Sequence, residues 1–346
     1  MAAIVIGSAA PERYRPVMDA RRSNARILYK NKDVSEYIAP WLLGVEYTDG
    51  LEKADDLQIT LWDDGRWQSV WAPGEGTQLS VEIYLSEMGV TRRLKCGTFA
   101  VDGIEYSGPP SVATIKATSA YVTTSLRKEK KTRAWEAVSL KTIAQTVAGK
   151  AGLKLQFDAA SNPAFGRIDQ KSRSDLDFLT GLAEREGLRV KTSGGKLIIF
   201  SQAAYDLRSS VRTFTRGDAQ IINYRFSTDS SEAYSKVEVR YRKPKAKKTL
   251  VYTYKPKDAP ETGQTLRLNE RCESTAEAER IAKNRLSAAN RGIRSGELEI
   301  VGDISMLAGQ NITVAGFGSK VNGLYAVEEA KHSLWPYSNG LEIRKI

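Results

Sequence analysis

Apolar and polar residues alternate along the first third of the chain. Leu43, Val45 and Tyr47 in "LLGVEY" share one face, as do Leu57, Ile59 and Leu61 in "LQITLW". Leu79, Val81, Ile83 and Leu85 do the same in "LSVEIYL". Such alternation, interrupted at turn residues like Asp49-Gly50, predicts half-buried antiparallel strands. The stretch "CGTFAVDGIEYSGPPSVATIKATSA", residues 96–120, carries a defect in the pattern. Phe99 and Val101 share a face, whereas Ile104 and Tyr106 have the opposite parity. One residue inserted at Asp102-Gly103 predicts a bulge, which bends a strand and helps a sheet curl. Ser107 to Pro110 then predict a turn, with Ile115 on the return strand. Six or so strands of this kind suggest a small barrel, which hides strand edges.

The period changes near Trp135. In "SLKTIAQTVAGKAGL", Leu140, Ile143, Ala144, Val147, Ala148 and Ala151 recur at helical spacing, and Gly152 suits the C-cap. In "SDLDFLTGLAEREGL", Ser174 is an N-cap candidate with Asp175 and Asp177 in the first turn, and Gly187 ends the helix. "LRVKTSGGKLIIF" predicts a hairpin turning at Gly194-Gly195. Residues 131–208 therefore form an α+β module.

Strand patterns return after Arg212. "IINYRF", "VEVRY" and "LVYTY" are followed by one helix, about 274–291, with a Ser274…Glu277 capping box. "GELEIV", "NITVAG", "LYAVEEA" and "LEIRKI" predict a closing meander, with hairpin turns at Asn322-Gly323 and Asn339-Gly340. Two β-rich parts, 23–130 and 209–346, thus flank the module. Residues 1–22, with Pro11 and Pro16 and no clear period, predict an extended arm. Their short apolar start lacks a basic n-region and is not expected to be a signal peptide.

Composition changes this picture little. The chain has 346 residues, 41% hydrophobic and 27% charged, as an ordinary globular protein does. No apolar run is long enough to predict a membrane anchor. The formal net charge of +11 is spread over basic residues mostly interleaved with acids, which favours solvated strand and helix surfaces over a nucleic-acid footprint. Cys96 and Cys272 fit no metal, redox or disulfide pattern.

Candidate chemistry is sparse. A Ser-His-Asp or Cys-His site would have to use His332, the one histidine, which "AKHSLW" reads as a strand histidine with a local hydrogen bond. One His and two scattered Cys make no zinc set. "GFGSKVNG" begins like GxGxxG, but Val321 replaces the third glycine and strands flank it. No cofactor or metal is expected. Two alternatives stay open. Carboxylates at Asp55-Asp56, Asp63-Asp64, Glu184 with Glu186 and Glu328-Glu329 allow a cell-wall hydrolase, if two of them face each other across a cleft. The loop 243–248, with Lys245, Lys247 and Lys248 near Tyr241, Tyr252 and Tyr254, allows a nucleic-acid or glycan-binding module. The plainer reading of that loop is lysines guarding an exposed hairpin. Trp335, Pro336 and Tyr337, in the last predicted hairpin, are a candidate exposed contact.

Several segments in order carry a resemblance: "IAPWLLGVEYTDGLEKADDLQITLWDDGRW", "WAPGEG", "KCGTFAVDGIEYSGPPSVATIKATSA", "KTRAWEAVSLKTIAQTVAGKAGLKL", "SRSDLDFLTGLAEREGL" and "AGQNITVAGFGSKVNGLYAVEEAKHSL". Together they resemble the phage late control protein D, or tail protein D, family. These are baseplate hub proteins of contractile-tailed phages and phage-like particles, similar to the hub part of type VI secretion spike proteins. The resemblance runs from about residue 24 to the end. It implies a mainly β fold with an α+β insertion and two β-barrel-like tube domains of the hub type, at 23–130 and 209–346. It also implies a homotrimer whose pseudo-sixfold ring adapts the hexameric tail tube to a trimeric central spike. The implied partners are further copies of the chain, the spike, the tail tube or tube-initiator protein and other baseplate proteins, including the tape measure protein. Direct nucleic-acid binding is not expected. The implied location is the virion tail baseplate, assembled in the host bacterial cytoplasm. The family defines no catalytic residues. The chain stops just after its last strand, so the spike and any wall-degrading activity are expected on other polypeptides.

Overall fold

A computed structural model of the chain describes residues 20–51, 53–69, 73–119, 124–229, 233–242, 249–257, 259, 263–272 and 274–346. Most of the expected N-terminal arm and the whole loop 243–248 lie outside the described residues. The first part contributes β1 (Arg22–Tyr29), β2 (Lys32–Asp33), β3 (Leu42–Gly50), β4 (Asp56–Trp62), β5 (Gln78–Glu87), β6 (Val90–Ser107) and β7 (Val112–Ser119). The α+β stretch contributes β8 (Lys131–Ser139), α1 (Leu140–Lys150), β9 (Lys154–Asp158), β10 (Ala164–Arg173), α2 (Asp175–Arg185), β11 (Leu188–Ser193) and β12 (Lys196–Ser201). Then follow β13 (Ser210–Thr215), β14 (Ile221–Thr228), β15 (Tyr234–Arg242), β16 (Thr249–Tyr254), β17 (Gln264–Leu268) and α3 (Thr275–Ala289). The chain closes with β18 (Arg294–Val301), β19 (Asn311–Ala315), β20 (Gly323–Leu334) and β21 (Ser338–Lys345).

The fold is mainly β, as the alternation predicts. Among the described residues thirteen strands join one sheet in the order β14-β18-β21-β20-β3-β4-β7-β6-β5-β1-β2, with β13 on β19 and β19 on β20. Two cores lie along it. One gathers Val45, Leu57, Leu61, Val81, Ile83, Phe99 and Ile115, and the other Phe214, Leu298, Ile312, Val327, Leu341 and Ile343. The barrel expected from the strand count of the first part, and the second one implied by the resemblance, are therefore qualified: among the described residues the pairings do not close into rings. The reason is β20. Its first half pairs with β19 (Asn311↔Ala326), and its second half pairs with β3 (Leu334↔Val45), so one long strand carries the ladder from one β-rich part to the other.

Bulges decide which residues face the cores. The β6–β7 ladder slips between Val101 and Gly103, at the defect visible in the sequence. A second slip falls between Val327 and Glu329 of β20. Without it, residues two apart would share a face. The extra residue, Glu328, lets Val327 enter the core while Glu329 stays outside.

The helices form as their caps predict. Ser139 accepts from Thr142 N at 3.2 Å, Ser174 from Asp177 N at 3.2 Å and Ser274 from Glu277 N at 3.2 Å. Helices α1 and α2 pack Ile143, Val147, Leu179 and Leu182 against Leu197 and Ile199 of the three-stranded sheet β11-β12-β9. Gly194 and Gly195, with φ of 55° and 75°, supply the left-handed turn between β11 and β12. Strands β8 and β10 form a separate ribbon.

Two patterns resolve differently from their local reading. "VEVRY" and "LVYTY" become β15 and β16, which with β17 make their own sheet under α3 rather than joining the large one. Asn339-Gly340 is not a turn. It lies inside β21, and the chain reverses earlier, at Trp335–Tyr337. Asn339 is instead fully buried, and its Oδ1 accepts from the Asp303 amide.

Candidate functional site

The broadest feature is the face of the large sheet turned away from both cores. Reading across the ladder, Arg225 of β14 stands opposite Glu297 of β18, Glu297 opposite Glu342 of β21, and Glu342 opposite Glu329 of β20. One step along, Lys331 stands opposite Thr48 of β3, Thr48 opposite Asp56 of β4, and Asp56 opposite Thr118 of β7. The polar surface thus runs without a break from one β-rich part into the other. Carboxylates predominate on it: Glu46, Glu297, Glu299, Glu329 and Glu342, continuing to Asp56, Asp102 and Glu105. Cations pin several of them. Lys331 reaches Glu46 at 2.8 Å, Lys53 reaches Glu329 at 3.3 Å, and Lys116 pairs with Glu105. Burial, followed by the charges of Glu329 and nearby Glu297, pushes the Glu342 carboxyl up from its ordinary value. At the far end of the sheet Arg26 and Arg93 gather around Glu82.

The candidate catalytic groups are placed otherwise. His332 on β20 is fully buried. Its Nε2 lies 2.9 Å from the Met306 carbonyl, which can only accept, so Nε2 carries the proton. Nδ1 then accepts from Asn339 Nδ2 at 2.9 Å and lies 2.9 Å from the Tyr337 hydroxyl. Burial pushes this imidazole down to about 4. Below pH 6.5 the unfolded chain binds a proton that the folded chain refuses until about pH 4. The stability carried by neutral His332 is complete above pH 6.5 and is lost as pH falls towards 4, by roughly 3 kcal/mol. Urea unfolding of the protein and of His332→Gln across that window should show the gap between them closing on the acid side. A gap independent of pH would remove the neutral histidine from this account.

Of the predicted contact trio, Trp335 and Pro336 are exposed, and Trp335 Nε1 donates to Ser23 O at 3.2 Å. Tyr337 turns inward: its ring packs on Gly302 and its hydroxyl on His332. Lys245, Lys247 and Lys248 lie outside the described residues. Cys96 and Cys272 are buried and are not joined in a disulfide.

The sequence-adjacent carboxylates are held apart by their own partners. Asp64 pairs with Arg66 at 2.7 Å, and Asp63 accepts from Gly65 N at 2.9 Å. Glu184 pairs with Arg285 at 3.1 Å and Glu186 with Arg280 at 2.7 Å, joining α2 to α3. Glu328 accepts from Arg189 at 2.7 Å and from Arg344 at 2.8 Å, and Arg344 also holds Asp206 at 2.7 Å. Besides the glutamates aligned on the polar face, the fold brings Asp49 and Asp55 together. Lys191 pairs with Asp49, and Ser193 Oγ donates to Asp55 at 2.7 Å. Desolvation first, opposed by Lys191 and reinforced by Asp49, pushes Asp55 up to about 7. Both acids are nearly inaccessible, which suits a joint between the sheet and the α+β module rather than a substrate cleft. Nothing in the local sequence marks this pairing, because Lys191 and Ser193 come from a distant hairpin.

Among the described residues no group of three or more His, Cys, Asp or Glu is arranged to hold a metal ion, and no helix is long and apolar enough to cross a membrane.

The fold is that of phage tail proteins. The 43 kDa tail protein of prophage MuSo2 from Shewanella oneidensis superposes with a TM-score of 0.72 at 14% identity, over 94% of this chain and 98% of that one. An E. coli protein described as a component of the type VI secretion system superposes with a TM-score of 0.53 at 12% identity, over 94% of this chain and 77% of that one. Residues 113–338 match the phage tail baseplate hub (GPD) family, and the chain belongs to that family. A probable baseplate hub protein of Escherichia phage P2 is 31% identical over 224 residues, which is 62% of this chain and 55% of that protein. The match therefore spans about half the length of this curated relative.

Proposed function

We propose that the protein is a structural hub of a contractile-tail baseplate, acting by shape and assembly rather than by catalysis. The observation that carries this reading is the unbroken polar face shared by both β-rich parts, backed by two apolar cores. A wall of this build can line a passage on one side while its buried side holds it rigid. Family membership supports the same reading, and the relative's name is that of a structural part. In this proposal three copies form a ring, and each contributes two tube segments, from 23–130 and 209–346, so that a threefold object presents sixfold-like ends. Within 209–346 the wall is β13, β14 and β18–β21, while β15–β17 and α3 stand outside it.

Residues 131–208 act as a peripheral module facing other baseplate proteins. The ring joins a hexameric tail tube, or its initiator, to a trimeric central spike, and its place is the virion tail baseplate, assembled in the bacterial cytoplasm. Among the described residues the sheet ends at β14, with exposed Ile222 and Tyr224, and at β1–β2, and these edges suit contacts between copies. Trp335 and Pro336 are proposed as a further contact, and Lys245, Lys247 and Lys248 as a contact to one neighbour.

The test is the mass in solution, by light scattering behind a sizing column over a range of concentrations. The expected result is three times 38.2 kDa. A monomer at every concentration, with or without added spike protein, counts against the ring.

A further inference from the structure

We propose that the outer face of the sheet β16-β15-β17 docks an acidic segment of another protein, in which carboxylates flank an apolar residue. The inference deepens the contact proposed for this hairpin, and it rests on the hub reading for the partner's being a protein of the same particle. Elsewhere the basic residues are mostly interleaved with acids, but residues 236–267 carry ten lysines and arginines against three acids. The fold sorts the described part of this segment by parity. Val237, Val239, Tyr252, Tyr254 and Leu266 turn towards α3. On the opposite face Lys236, Arg240, Arg242, Val251 and Arg267 are exposed.

Register brings these side chains together. Arg240 stands opposite Val251, Arg242 opposite Thr249, and Arg267 opposite Glu238. Among the described residues Glu238 is the one acid on that face, and Arg240 already pairs with it. Lys236, Arg242 and Arg267 make no ion pair among the described residues, and neither does exposed Lys255, one residue past β16. Like charges gathered on neighbouring strands destabilise a sheet, and a partner's carboxylates relieve that cost. Successive outward positions of β15 lie about 7 Å apart, the same repeat as alternate side chains of an extended partner.

The face selects a protein over a nucleic acid. Tyr241, Tyr252 and Tyr254 all turn inward, which leaves no aromatic platform for bases. Val251, 53% exposed beside Arg240, instead offers apolar contact to a side chain. Arginines around an apolar centre make a protein interface, and their guanidinium forks match carboxylates. The neighbouring carboxylates of this chain, such as Asp64, Glu184, Glu186 and Glu328, are engaged internally, so a different chain is the source.

The probe is a fluorescein-labelled nine-residue peptide of alternating Glu and Val, titrated with the full chain and followed by fluorescence anisotropy. Saturable binding is expected, weakened by salt and at least tenfold in Arg242→Glu combined with Arg267→Glu. Lys236→Glu combined with Lys255→Glu is a second charge-reversed variant, and circular dichroism checks that both are folded. Val251→Ser should weaken this peptide and spare oligoglutamate, and an equal effect on the two overturns the apolar contact. No binding by the protein, or binding unchanged in both charge-reversed variants, overturns the proposal. Tighter binding of an oligonucleotide of the same charge overturns the choice of a protein partner. Solution mass is read on the same samples. A mass that falls in the charge-reversed variants makes a second copy the occupant and overturns the choice of a different chain. A trimer that ignores the peptide refutes this surface and leaves the hub reading standing, whereas a monomer that binds it refutes the ring alone.

Discussion

Glu328→Ala is expected to lower the unfolding free energy by about 3–5 kcal/mol, among the largest effects of any single substitution in this chain. Glu328 sits between two guanidinium groups, and only 3% of the Arg189 side chain and 10% of the Arg344 side chain reach solvent. Their charges pull the Glu328 carboxyl below its usual range despite the opposing effect of burial. Removing the carboxylate takes away the acceptor that Arg189 and Arg344 share, while Gln202 Oε1 still accepts from Arg189 and Asp206 from Arg344. Taking both charges away is milder, because an apolar pair of similar size suffers no desolvation. Glu328→Leu combined with Arg189→Met should therefore recover much of the loss. Urea unfolding of the three proteins checks this. A single variant within about 0.5 kcal/mol of the parent would mean that water reaches the cluster and screens it. The functional consequence is local: Arg189 and Asp206 belong to the module side and Glu328 and Arg344 to the sheet, so this cluster fixes the module's position against the wall.

Asp55→Asn should act in the opposite direction and depend on pH. The folded carboxyl is raised to about 7 against an ordinary value of 3.8. Between those values the folded chain holds a proton that the unfolded chain has released. The stability contributed by protonated Asp55 is therefore present at low pH and is lost as pH rises through the window. Above pH 7 an ionised Asp55 must sit beside Asp49, with Lys191 as the shared counter-charge and Ser193 as its hydroxyl donor. Asparagine keeps an acceptor for Ser193 and can donate to Asp49 without charge. At about pH 8 the variant should be more stable by roughly 2–4 kcal/mol, and the advantage should fade towards about pH 4. Urea midpoints across that range test it, and a pH-independent difference would count against a protonated Asp55. This slope opposes that of His332, so each is read from its own variant rather than from the parent profile.

The local elements were legible because short-range chemistry decides them. Ser139, Ser174 and Ser274 cap the helices that follow, since each hydroxyl satisfies a backbone amide otherwise left without a partner. The parity change at Asp102-Gly103 reads directly as a bulge, because a period of two allows no other way to reverse faces. The bulge at Glu328 is equally present in the pattern, in Val327 followed by Ala330, but two adjacent glutamates there read more readily as a catalytic or solvated pair. Asn339-Gly340 carried a strong hairpin signal, yet the need to satisfy buried His332 and the Asp303 amide placed it inside a strand.

The sequence by itself determined the class of every well-patterned element, the order of β-rich and α+β parts, the lack of a recognisable nucleophile or phosphate motif, and the family resemblance. These rest on periodicity, caps and turns, which act over a few residues, and on motifs that survive as strings. Tertiary structure alone decided that one strand serves both β-rich parts, that β15–β17 stand apart from the large sheet, and that Asp49, Asp55 and Lys191 meet. It also decided that Glu297, Glu342, Glu329 and Asp56 share one continuous face. Those facts depend on which strand pairs with which and in what register. That choice is made by burying apolar area between segments hundreds of residues apart, and no local pattern encodes it.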